Sequence, residues 1–95
     1  MGKSEIEARA EEWSQIMLGL LKKSTSPAAS ILHLIELRAR LYNAIVVHLE
    51  QDSDSTDLIE RLNNVVERWT GPAQVTCPRI ERFDPKTGIA TFARA

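Results

Sequence analysis

Residues 27–51 are apolar around most of a helical circumference, and this constrains the chain more than any other feature. Ile31, Leu32, Leu34, Ile35, Leu37, Leu41, Tyr42, Ile45, Val46, Val47 and Leu49 leave only a narrow polar face of His33, Glu36, Arg40 and Asn43. At about 1.5 Å per residue such a helix is ~37 Å long. A helix apolar on most sides must be covered from several directions. Its start is well marked: Ser26 can cap, and Pro27 suits the first helical position, where its missing N–H breaks no bond.

Two further helices are available to do the covering. The first is expected over 5–23, with Ser4 as N-cap and Glu7 completing a capping box. Its early glutamates and its late Lys22 and Lys23 suit the helix dipole. Ile6, Ala10, Trp13, Met17, Leu20 and Leu21 recur at helical spacing, and Ile16 and Leu18 widen the stripe to roughly 200°. The third is expected over 56–70, capped by Asp54 or Ser55. Leu58, Ile59, Leu62, Val65, Val66 and Trp69 form a single stripe of roughly 120°. Gly71 and Pro72 are expected to end it.

The period then changes from helix to strand. Residues 79–83 and 89–93 read as strands around Asp84-Pro85-Lys86-Thr87-Gly88. Pro85 presets φ for a type I turn, Asp84 can accept a bond from the turn, and Gly88 supplies φ > 0. That loop pairs Phe83 with Ala90. Strict alternation puts Phe83, Ala90 and Phe92 on one face, and Ile80, Ile89 and Thr91 on the other. An isolated hairpin is marginal in water, so one face must pack on the helices or on another chain. The expected fold is therefore mainly α (α+β): one domain over 1–95, a three-helix bundle-like body with two long helices, and a C-terminal β-hairpin.

Composition narrows the function classes. Twelve basic residues against thirteen acidic ones give a net charge of −1, so there is no bulk attraction to nucleic acid or acidic lipid. The single cysteine, Cys77, cannot form an internal disulfide. No apolar run nears the ~18 residues of a membrane span. The start carries no signal-peptide core, and Ile6 stands where a myristoylation motif needs Ser or Thr. The expected location is the cytoplasm of a bacterium, or of its phage or host.

Catalytic and metal chemistry find no support in the spacing. Counted from Asp52, a calcium loop needs glycine at its sixth position and glutamate at its twelfth, where Asp57 and Asn63 stand. His33, His48 and Cys77 show no metal-site spacing. No nucleophile has a base nearby in sequence, and no glycine-rich loop cradles phosphate. The expectation is no enzyme, no cofactor and no metal.

Three helices followed by a basic hairpin resemble a winged helix-turn-helix in element order only. The second helix is too long for that motif, and the third balances Arg61 and Arg68 with Glu60 and Glu67. DNA binding through the hairpin as a wing is thus the alternative. The favoured reading is a non-catalytic regulatory, adaptor or inhibitor-type protein acting by protein–protein contact, as a homodimer, because the apolar arcs exceed what one stripe and one hairpin face can cover. The expected contact residues are Arg82, Phe83, Lys86 and Phe92 on the hairpin, and His33, Arg40 and Asn43 on the second helix. Arg38, set amid apolar residues, is expected to snorkel or to pair with Glu60 or Glu67, or else to fix a dimer register.

Overall fold

The structure, a computed structural model, describes residues 2–24, 31–73 and 79–93. Within them lie helices α1 (Lys3–Ser24), α2 (Ile31–Gln51) and α3 (Ser55–Ala73), then strands β1 (Ile80–Phe83) and β2 (Ala90–Phe92). The fold is mainly α with a small antiparallel hairpin, as the periodicities require. The expected Ser26 cap and Pro27 start of α2, with Cys77, lie outside the described residues.

The helix ends differ from expectation in two places. α1 begins at Lys3, and the Gly2 carbonyl accepts the Ile6 N–H at 3.1 Å. Ser4 is thus inside the first turn and is not the cap. α3 continues through Gly71 and Pro72 to Ala73. A proline in the last turn removes a single bond, so the helix can outlast it. By contrast, Asp54 caps α3 as expected, its Oδ1 accepting the Asp57 N–H at 2.9 Å.

The α2–α3 corner is built by a residue in an unusual conformation. Asp52 has φ 51°, and the Ser53 N–H reaches back to the His48 carbonyl at 3.4 Å. This is the Schellman closure, with aspartate where glycine is usual. Only residues 52–54 separate the helices, which therefore fold back antiparallel. Arg61 Nη2 donates to Gln51 Oε1 at 2.8 Å near the corner, and Trp69 Nε1 donates to the His33 carbonyl at 2.7 Å toward the far end.

The core gathers α1, α2, α3 and the hairpin around Trp13, Met17, Leu37, Leu41, Ile45, Leu62 and Trp69. β1 packs on α3. Phe83 meets the Trp13 ring edge-on, centroids 4.9 Å apart. The turn is as its residues demand. Asp84 Oδ1 accepts the Lys86 N–H at 2.9 Å, Oδ2 accepts the Thr87 hydroxyl at 3.1 Å, and Gly88 has φ 75°. These two bonds hold the Asp84 carboxyl below its usual pKa.

Beyond the turn the register departs from strict alternation. Phe83 pairs with Ala90 and Arg82 with Thr91, but Ile80 pairs with Phe92, leaving Glu81 as an extra residue. This bulge turns Ile80 onto the same face as Phe83, where it is buried. Ile80 therefore belongs to the core face, not to the face of Ile89 and Thr91. Its backbone then meets Asn63 of α3. The Asn63 amide donates to the Ile80 carbonyl at 2.9 Å and accepts the Ile80 N–H at 2.8 Å, all buried. One side chain thereby fastens the hairpin to the helices.

Candidate functional site

α2 shows two faces to two environments. Leu37, Leu41, Ile45 and His48 point into the core. On its outer side Leu32 is 77% exposed and Ile35 60% exposed, and Ala39 is also exposed. Tyr42 and Val46 continue the row half-buried. The positions 32, 35, 39, 42 and 46 alternate in steps of three and four, the spacing of a coiled-coil seam. α1, α3 and the hairpin leave the start of this row uncovered. That is where the excess apolar surface read from the sequence ends up.

Ion pairs flank the row. Arg38 Nη1 contacts Glu11 Oε1 of α1 at 2.7 Å, and Arg40 Nη2 contacts Glu36 Oε1 at 2.7 Å. Arg38 thus pairs with the first helix, not with Glu60 or Glu67. Helix α1 lies along the side of α2 that carries Arg38, so Glu11 meets it first. Hydrogen bonds from Gln15 and Arg38 hold the Glu11 carboxyl below its usual pKa. Both members of the pair are about half exposed, so solvent screens it and it adds little to stability.

The contact residues expected from the sequence do not converge on one site. Arg82 and Lys86 are exposed on the hairpin, and Arg40 and Asn43 are exposed on α2. Phe83 is buried against Trp13 and Phe92 is half-buried on the core, so the hairpin's aromatic rings serve folding. Phe83 is withdrawn from the contact surface for that reason. His33 is half-buried and meets the Trp69 ring edge-on at 6.5 Å, so it is not a solvated surface residue. No protein family, curated protein or solved structure matches the chain. Among the described residues no helix is long and apolar enough to cross a membrane.

Among the described residues His48 is the one buried titratable group. It is 8% exposed, and its Nδ1 has no hydrogen-bond partner among the described residues. Burial holds its pKa below the ordinary 6.5; Asp57, Asp52 and Asp54 oppose that shift and Arg61 adds to it. The unfolded chain takes up this proton near 6.5, while the folded chain resists until lower pH. The contribution is therefore intact above pH 6.5 and is lost as pH falls from there toward the folded value. Glu11, Asp57 and Asp84 act in the same direction only in more acidic solution, since their ordinary values are 4.5 or less. Urea midpoints are expected to fall between about pH 7 and about pH 5. The His48→Gln variant should flatten that slope, and a flat wild-type profile contradicts the assignment.

Proposed function

We propose that this chain is a small non-catalytic regulatory or adaptor protein that acts by protein–protein contact and pairs with a second copy of itself along the outer face of α2. The observation carrying this reading is the exposure of Leu32 and Ile35 one turn apart, at the head of the row completed by Ala39, Tyr42 and Val46. Covering a large aliphatic side chain is worth ~1.5–3 kcal/mol, and a two-fold axis brings each residue to the interface twice. The half-exposed pairs Glu11–Arg38 and Glu36–Arg40 supply a charged rim.

The wing reading has less support. The turn residue Gly88 lies against Trp13 of α1, so the end of the turn that a wing would present is tied to the helical body, with residues 84–87 left exposed.

Light scattering coupled to size exclusion tests the proposal. At tens of micromolar the expected mass is twice the 10.7 kDa of one chain. Ile35→Glu is expected to give the monomer mass with an unchanged helical circular dichroism spectrum. A wild-type chain that runs as a monomer overturns the self-pairing.

A further inference from the structure

The faces of α2 and α3 that meet solvent beside one another both begin with arginine, then asparagine, then a small apolar residue, and differ at the fourth position. On α2 it is Arg40, Asn43, Ala44 and Val47. On α3 it is Arg61, Asn64, Val65 and Arg68. Each set is spaced i, i+3, i+4, i+7, which places it on one side of its helix. The two sets line a single groove of about 360 Å³. Three guanidiniums and two side-chain amides face it over a floor of Ala44, Val47 and Val65, and no carboxylate is in the lining.

The arginines differ in how they are held. Arg61 Nε donates to Asp57 and its Nη2 to Gln51, at 2.7 and 2.8 Å. Arg40 Nε and Nη2 both donate to Glu36, at 3.0 and 2.7 Å. Each therefore has one side of its fork fixed and Nη1 left over. Arg68 has no hydrogen bond or ion pair among the described residues. Because the helices run antiparallel, the α2 set begins where the α3 set ends. Arg40 and Arg68 share one end of the groove, and Arg61 lies toward the other. The spare Nη1 groups of two anchored arginines and the whole guanidinium of Arg68, set around a small apolar patch, match the chemistry of a phosphoryl group.

We infer that this groove binds a small phosphate-bearing ligand, its phosphoryl oxygens taken by Arg40 and Arg68 and by the Asn43 and Asn64 amides. Arg61 would meet a second anionic group. The groove lies on the α3 side of α2, next to the Leu32–Ile35 row, and shares Arg40 with the charged rim of the proposed pairing face.

Pyrophosphate is the probe. It is titrated into the ¹⁵N-labelled full chain at constant ionic strength, with chloride as the control. The side-chain amide resonances of Asn43 and Asn64 are expected to shift saturably, with a midpoint near or below about 1 mM, and chloride should produce no such shift. Arg68→Ala removes a side chain with no described partner, so it should leave the melting temperature unchanged and weaken binding about tenfold. Arg40→Gln should weaken it comparably, and Arg82→Gln on the hairpin should have no effect. Inorganic phosphate should bind more weakly than pyrophosphate if both anionic positions are used. Absence of saturation, or affinity unchanged in both Arg68→Ala and Arg40→Gln, overturns the site. A short DNA duplex that binds with a steep salt dependence and is not displaced by pyrophosphate overturns the small-ligand assignment in favour of a nucleic-acid backbone.

Discussion

Replacing Asn63 with leucine is expected to destabilise the chain by about 3 kcal/mol, although the two side chains are similar in size. The Asn63 amide both donates to and accepts from the backbone of Ile80, and the whole contact is buried. Leucine removes both bonds and leaves a buried N–H and a buried carbonyl with nothing to meet. Each such group costs ~1–3 kcal/mol. Whole domains of this size hold on the order of 5–15 kcal/mol, so the loss is a large share. Asn63→Asp is expected to be at least as damaging at neutral pH, since a carboxylate repels the Ile80 carbonyl and cannot donate to it. Urea unfolding gives the free energy, and hydrogen exchange at the Ile80 amide reports the contact itself. A loss under about 1 kcal/mol with Ile80 still protected would show that the hairpin is held by its apolar face alone.

Gly88→Val is expected to be nearly as severe, at about 2–4 kcal/mol, for two separate reasons. Gly88 has φ 75°, a region that side chains with a Cβ adopt at a cost and β-branched ones adopt worst. A Cβ built there would also lie 2.7 Å from Trp13 Cδ1 and 3.2 Å from Ile16 Cδ1, inside van der Waals contact. Either the turn lifts from α1 or Trp13 shifts away from Phe83. Gly19 supplies the contrast. A Cβ there meets nothing within 4 Å, and the position is exposed inside α1. Gly19→Ala is therefore expected to stabilise by about 0.5–1 kcal/mol through helix propensity. Opposite signs in thermal melts of two glycine-to-alanine variants, Gly88→Ala and Gly19→Ala, would separate the crowded turn from a general glycine effect. A neutral Gly88→Ala would contradict the packing of the turn on Trp13.

The predictions that failed share a cause. Strict alternation assigned Ile80 to the wrong face, because a one-residue bulge reverses every side chain beyond it and leaves no mark in a period-two pattern. Nothing in the sequence singles out Asn63 as a fastening residue, since its partner is a backbone group seventeen positions away. Arg38 found Glu11 instead of a carboxylate of α3, because periodicity says which residues share a face and not which neighbouring helix lies beside it. The groove between α2 and α3 was half legible: the pattern of Arg40 and Asn43 recurs at Arg61 and Asn64, but only the antiparallel corner at Asp52 brings the two copies together.

Residues near one another in the chain settled the elements. The apolar arcs of α1 and α2, the Asp54 cap, and the Asp84–Gly88 turn follow from side-chain spacing, local hydrogen bonding and allowed backbone angles. Those forces act within a few residues, so they can be read from a single sequence. Tertiary packing decided what each surface is used for. It took Phe83 into the core against Trp13, turned Ile80 inward to meet Asn63, and buried His48. It left Leu32 and Ile35 exposed. The excess apolar surface of residues 27–51 was visible from the start. Its location, one narrow row on the outer side of α2, was not, because that depends on how α1, α3 and the hairpin divide the remaining circumference among them.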